Sequence, residues 1–303
     1  MHQNKLTNTK INIFIHTNNQ QSIGAKVALN QINKNLLVKS YDLKFIKLDD
    51  CPALKKFEGR SYISNGVIKK WTCYDLQSFT LLRFLPPQLC NFDGLSLLID
   101  PDVFALKNFS ELFCDPNDNW NIKCRKIFSH DRSENYWASS VMVLNNKNLS
   151  HWNFENILNQ LFNHEIDYRD LISLLLEDQN KIIELDSKYN SYDVFDQNTV
   201  FLHTTSRFTQ PWKTGLNIDF DYRGKLKNQN FYKNIIETIK VFLRSYIKKK
   251  YEEHPDPNVT KFFMQALHDA IKDNVITNED IDVAIKKKYI RADISDQIQR
   301  YQL

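Results

Sequence analysis

The run Leu95-Ser-Leu-Leu-Ile-Asp-Pro-Asp102 constrains this chain more than any other stretch. Leu95, Leu97, Leu98 and Ile99 make an apolar segment of the length of a buried strand, and Pro101 cannot continue its hydrogen-bond ladder. Asp100 and Asp102 are therefore expected at a strand's exit. Two carboxylates one residue apart, with a fixed-φ proline between them and a rigid strand behind, can share a divalent cation, and such a cation can grip a diphosphate. Asp-Pro also opens ordinary turns, so the pattern acquires meaning only from partners elsewhere in the chain.

A length of 303 residues allows one large domain or a domain with an appendage, and 42% hydrophobic residues suffice for a core. No apolar run approaches the roughly 20 residues of a membrane span, and Met1 to Lys10 lacks the apolar middle of a secretory signal, so a cytoplasmic protein is expected. Cys51, Cys73, Cys90, Cys114 and Cys124 show no paired short spacing, which argues against a zinc site and a disulfide framework. None of the six glycines forms Gly-x-Gly-x-x-Gly or Gly-x-x-x-x-Gly-Lys. Dinucleotide-binding and P-loop readings are thereby disfavoured, and a phosphate ligand would need a metal or basic side chains.

Taken in order, Ile11 to His16 alternates as a first strand, and Thr17 to Ser22 reads as the loop at its carboxyl end. Ile23, Val27, Ala28 and Ile32 have helical spacing, and Leu43 to Leu48 is a second strand. Strand, loop, helix, strand is the start of an α/β sheet whose ligands sit at the carboxyl ends of strands, where Thr17 and Asn18 stand. Glu58 to Tyr74 reads as a loop near the site. Asp75 to Leu85 reads as a helix that Pro86 and Pro87 stop, with Arg83 as a snorkelling surface charge when read alone. A strand at Ser139 to Asn145, helices at Trp152 to Phe162 and Tyr168 to Leu175, and a last strand from Val200 to His203 follow.

Beyond Lys225 the pattern is helical only. Phe231, Ile235, Ile239, Phe242 and Tyr246 define one face ending in Lys248-Lys-Lys250; Asp256-Pro257 caps a second helix; a third runs from near Thr277 to Lys286-Lys-Lys288. We therefore expect an α/β domain over residues 1–224 and a helical extension over 225–303. The net charge of +4 resides in the second part: residues 1–224 carry 25 basic and 25 acidic side chains, the remainder 15 and 11. These lysines could contact anionic lipid at an inner membrane face, but the acids interleaved with them favour a solvated appendage. With no reader motif and a modest surplus, nucleic-acid binding is not expected.

Two carboxylates leave a divalent cation short of ligands, and His203, at another strand end, is placed to complete a set with Asp100 and Asp102. An imidazole in the set suggests manganese, with magnesium as the alternative.

Several motifs in one order carry a resemblance: Leu-Leu-Arg83-Phe-Leu-Pro, Leu-Ile-Asp100-Pro-Asp102-Val, Ala138-Ser-Ser-Val-Met-Val-Leu-Asn145, Glu-Asp178-Gln179, and Phe-Leu-His203 leading to Gln-Pro-Trp-Lys213. From Ile11 to about Trp212 the chain resembles a divergent branch of the family 8 glycosyltransferases, which have the GT-A fold. The resemblance implies a mixed nucleotide-sugar-binding sheet flanked by helices. It implies Asp100, Asp102 and His203 as metal ligands, Asp178 and Gln179 beside the reacting sugar carbon, and Thr17, Asn18, Arg83, Asp100, Ser139, Ser140 and Lys213 around the donor. The implied activity is metal-dependent transfer of a hexose, with retention, from a nucleoside-diphosphate sugar (uridine diphosphate favoured) to a glycan or glycolipid. The first loop, His16-Thr-Asn-Asn-Gln-Gln, lacks the family's acidic residue for the base, Ser139-Ser140 replaces its Ala-Gly, and Lys213 follows Pro-Trp instead of preceding it.

Two other readings stand beside this one. A nucleotidyltransferase would share paired metal carboxylates but would show a glycine-rich basic loop after the first strand. A non-catalytic interaction protein could keep the fold with the helical tail as its working surface, but it has no need of Asp100, Asp102 and His203 together.

Overall fold

The computed structural model describes residues 11–38, 40–114, 118–128, 135–220 and 250–302. Its first half contains β1 (Ile11–Thr17), α1 (Ser22–Asn35), β2 (Asp42–Lys47), α2 (Pro52–Lys55), β3 (Ser61–Ser64), β4 (Val67–Lys70), α3 (Pro86–Leu89), β5 (Leu95–Ile99) and β6 (Val103–Ala105). Then come β7 (Ile122–Ile127), β8 (Tyr136–Asn145), α4 (Phe154–Phe162), α5 (Tyr168–Ile172), β9 (Ile182–Glu184), β10 (Ser191–Tyr192) and β11 (Phe201–His203). Three helices close the chain: α6 (Pro257–Lys272), α7 (Asn278–Lys286) and α8 (Ile294–Arg300).

The main sheet runs β2-β1-β5-β8-β7-β9. Strands β1, β2 and β5 are parallel, β8 is antiparallel to both its neighbours, and β9 runs parallel to β7, so this is the mixed sheet flanked by helices that was expected. Alternation within each strand divides the core in two. Ile11, Ile13 and Ile15 of β1 and Leu97 and Ile99 of β5 face α1 and the closing helices, while Phe14, Leu98 and Met142 face Phe79, Leu82, Trp152 and Leu158. A smaller sheet, β10-β11-β6, branches off where the chain leaves β5. Asp100-Pro-Asp102 is the link between the two sheets.

Helix α1 lies against that link. A Cβ on Gly24 would stand 2.9 Å from the Pro101 carbonyl oxygen and 3.3 Å from the Trp212 ring, so only glycine lets the helix come this close. The closing helices are not remote from this packing. Phe263, Met264 and Leu267 of α6 share one core with α1 and Trp212. Asp256 caps α6 with Pro257 in its first turn, as the sequence indicates, and α7 starts at the expected place, where Thr277 and Asp280 form a capping box.

Three expectations need correction. Residues 58–74 contain the β3–β4 hairpin, whose turn uses Asn65 and Gly66 at positive φ. Residues 75–85 are turns followed by a 3-10 segment at Thr80–Phe84, and the two prolines begin α3 rather than stopping a long helix, since proline is tolerated in a first turn. Strand β8 starts at Tyr136, three residues before the expected Ser139. The expected helix from Phe231 to Tyr246, and the 224/225 division, fall outside the described residues.

Candidate metal and anion site

Strand parity builds the site. The last registered pair of β1 and β5 is Ile15 with Ile99, so His16 and Asp100 follow it side by side, on the face opposite those isoleucines. His16 Nε2 donates to Asp100 Oδ1 at 2.5 Å, and its Nδ1 lies 3.3 Å from the Phe79 carbonyl oxygen. The Asp100 backbone N–H donates to the Ser140 carbonyl at 2.9 Å, holding the residue in line with β8. Chain order alone does not bring in the third ligand. The antiparallel pairing of β11 with β6 does so, because His203 is registered on Val103, the neighbour of Asp102.

Asp100, Asp102 and His203 each present a ligand atom within 4.8 Å of the others. His203 Nε2 and Asp102 Oδ1 stand 3.5 Å apart, longer than an ordinary hydrogen bond and compatible with two ligands of one small cation at about 2.1 Å each. The imidazole is oriented from behind. Asn190 Nδ2 donates to Ser140 Oγ, which leaves its Oδ1 to accept from His203 Nδ1 at 2.9 Å and turns Nε2 toward Asp102. Arg125 donates to the Asn190 carbonyl at 2.6 Å and secures that residue in turn. Two hard oxygens and one oriented nitrogen fit a divalent cation such as manganese or magnesium.

Arg83 is the correction at residue level. It is 6% exposed, not a surface charge: Nη2 donates to both Asp100 oxygens, at 2.8 and 3.0 Å, and Nη1 donates to Ser139 Oγ at 2.6 Å. The Ser139 hydroxyl in turn donates to the Ile172 carbonyl at 2.5 Å. Burial alone would raise the Asp100 carboxyl, but Arg83 and then His16 outweigh it and bring it down to about 2. Burial pushes the His16 imidazole below its usual value against the pull of Asp100. At His203 the same penalty is exceeded by Asp102 and Asp100, which raise it.

Arg83, Asp100, Asp102, Ser139, Ser140 and His203 line a cleft of about 230 Å³ at the carboxyl edge of the sheet, together with Tyr168, Arg169, Tyr192, Arg207 and Gln210. Gln210 donates to Asp102 Oδ2 at 3.3 Å. Arg83, Asp100, Asp102, Ser139, Ser140 and His203 are thus brought together. Other residues singled out in the sequence stand elsewhere. Thr17 and Asn18 line a separate cavity of about 340 Å³ against α7, and the Asn18 side chain is spent on Leu76, Ser78 and the Gln21 backbone. Lys213 is fully enclosed, its Nζ donating to Asp219 at 2.6 Å, and it does not line the cleft. The exposed Asp178 caps a turn through the Asn180 N–H. Gln179 stands one residue behind the cleft, where its Oε1 accepts from the Trp137 indole at 2.7 Å and its Nε2 donates to the Leu174 and Glu177 carbonyls.

His16, Arg169, Arg207 and Asn190 were not singled out from sequence. The alternation of β1 contained the signal for His16, since it continues the Asn12 and Phe14 face to the strand end where Asp100 stands. Nothing local marks the other three.

No protein-family profile and no curated protein matches the sequence. Among solved structures the chain is similar to WbbM, a bifunctional glycosyltransferase, at 13% identity and a TM-score of 0.46, over 80% of this chain and 52% of that one. It is similar to the glycosyltransferase GlyE of Streptococcus pneumoniae TIGR4 at 14% identity and 0.48, over 88% of this chain and 64% of that one. For the galactosyltransferase LgtC in complex with donor and acceptor sugar analogs the values are 12% and 0.46, over 66% and 89%. The chain thus spans between half and two thirds of the first two. Likenesses this distant establish no activity.

Proposed function

We propose that this protein is a metal-dependent glycosyltransferase that moves a hexose, with retention, from a nucleoside-diphosphate sugar, uridine diphosphate favoured, to a glycan or glycolipid acceptor. The observation that carries the reading is the convergence of Asp100, Asp102 and His203 at the exit of a central strand, in a cleft also lined by arginines. The order of motifs along the chain, resembling the family 8 glycosyltransferases with the GT-A fold, supplies the reaction class.

Asp100, Asp102 and His203 would hold the cation, manganese first and magnesium second. When bound there it would neutralise charge on the diphosphate. In the transfer, the bond from the anomeric carbon to the terminal phosphate oxygen breaks and its electron pair leaves with the phosphate. The acceptor hydroxyl oxygen bonds the same carbon, its proton passing to the departing phosphate. Arg83 holds Asp100 ionised and aimed, and Ser139 holds Arg83. Gln179 acts as a positioning residue by fixing the Trp137 indole in the cleft wall.

The reading is tested by following nucleoside-diphosphate release from a panel of nucleotide sugars with manganese, with and without chelator. Release from at least one sugar, abolished by chelator and reduced at least about a hundredfold by Asp102→Ala, is expected. No release from any sugar, or release indifferent to chelator, would contradict it. No helix of the described residues is long and apolar enough to cross a membrane.

A further inference from the structure

Resting on the reading above, we infer that Arg207 and Arg169, not Lys213, supply the protein's cationic contacts to the leaving nucleoside diphosphate. The resemblance assigns this task to a lysine next to Pro211-Trp212, but the structure commits that ammonium elsewhere. Lys213 is 0% exposed, donates to Asp219, and lies 5.4 Å from the centroid of the Tyr251 ring, whose hydroxyl donates to the same carboxylate at 2.5 Å. Burial drives the ammonium's pKa down against the pull of Asp219. Withdrawing it toward the cleft would strand both Asp219 and the tail segment that carries Tyr251. Lys213 is a strut.

The cleft still contains the charge that a diphosphate requires. Its lining holds three arginines against two carboxylates, and Arg83 is already taken by Asp100. Arg207 follows His203 by four residues, on the stretch that leaves β11, and lines the cleft with Asp102 and Gln210. Its Nη1 donates to a neutral amide, Gln77 Oε1, at 3.1 Å, and its guanidinium lies over the Phe220 ring, so no carboxylate among the described residues neutralises it. Arg169 comes from the opposite direction in the chain, at the start of α5. Its Nε is buried with no hydrogen-bond partner among the described residues. A buried guanidinium donor left unsatisfied in a cleft is costly unless a ligand occupies it, and an arginine fork matches phosphate oxygens.

Electrostatics also favour these two groups as the acceptors of leaving charge. A departing diphosphate gains negative charge on its terminal phosphate, and guanidiniums in the cleft that meet no carboxylate among the described residues stabilise that charge without reorganising. The enclosed Lys213 cannot do so.

The test is calorimetric titration of uridine, guanosine, adenosine and cytidine diphosphates in the presence of manganese, followed by the corresponding monophosphate of the tightest binder. Wild type, Arg207→Gln, Arg169→Gln and the charge-retaining Arg207→Lys and Arg169→Lys are compared. Each glutamine variant is expected to lose about tenfold or more in diphosphate affinity and much less for the monophosphate, with part of the loss restored by lysine. Glutamine variants that bind the diphosphate as tightly as wild type would overturn this assignment while leaving the transferase reading intact. A wild type that binds none of the four diphosphates overturns both.

Discussion

Arg83 shows how far one residue's setting can depart from its local sequence. Surrounded by Leu81, Leu82, Phe84 and Leu85, it sits in a stretch without another charge, and only the fold supplies its partner seventeen positions away. Because Asp100 is almost enclosed, removing the guanidinium leaves a buried carboxylate that only the His16 and His203 imidazoles still compensate among the described residues. Arg83→Met should therefore lower stability by about 3 kcal/mol in urea unfolding and should raise the Asp100 carboxyl from its value of about 2. A variant as stable as wild type would show that the pair contributes little to the fold.

At the scale of elements, the approach of α1 to the Asp-Pro-Asp link depends on Gly24. In an unobstructed helix, Gly→Ala would stabilise by roughly 1 kcal/mol. Here the added methyl meets a backbone carbonyl, Pro101 O, at 2.9 Å, and the link cannot retreat without moving Asp100 and Asp102. Gly24→Ala is expected to destabilise by about 1–3 kcal/mol and to weaken manganese binding, read by thermal unfolding and metal titration. Stabilisation would mean that the helix shifts freely. The element scale also explains what could be read from sequence. Strands β5 and β11 were legible as concentrated apolar runs, β1 by its alternation, and the α6 cap because cap chemistry is local. Strands β7, β9 and the β3–β4 hairpin were not. Lys123, Arg125 and Lys126 break the pattern of β7, β9 has only three residues, and β3 and β4 are half-buried to exposed, so periodicity had little to show.

Across the whole molecule, the tail returns to the site. Tyr251 and Glu252 bond to Gly215, Leu216 and Phe208, and His254 then meets Asp193, whose backbone N–H donates to the His203 carbonyl. In the charged form His254 Nδ1 donates to the Asp256 carbonyl at 3.1 Å while Nε2 donates to Asp193 at 3.2 Å. Burial lowers the His254 value, but Asp193 and Asp256 outweigh it and raise it; Asp193 is itself lowered. A raised histidine contributes stability that is full below its unfolded value of about 6.5 and is lost as pH climbs through the folded value. A lowered aspartate contributes above its unfolded value of about 4 and loses this as pH falls further. The latch is thus strongest between about pH 4 and 6.5. The stability gap between wild type and His254→Asn, from unfolding curves, should shrink from pH 5.5 to 8.5; a constant gap would contradict the ion pair. Latches and ligand sets of this kind join residues tens to a hundred positions apart. For this reason sequence order could suggest Asp100, Asp102 and His203 through a familiar succession of motifs, yet could not indicate Asn190, Arg169 or Arg207, nor that Lys213 turns inward.

The central claim is that Asp100, Asp102 and His203 hold a cation that in turn holds a nucleoside diphosphate. Calorimetric titration of uridine diphosphate, with and without manganese, into wild type and Asp102→Ala tests it most directly. Binding that requires manganese and disappears in the variant is predicted. Manganese-independent binding, binding unchanged in Asp102→Ala, or silence for this and the other nucleoside diphosphates would contradict it.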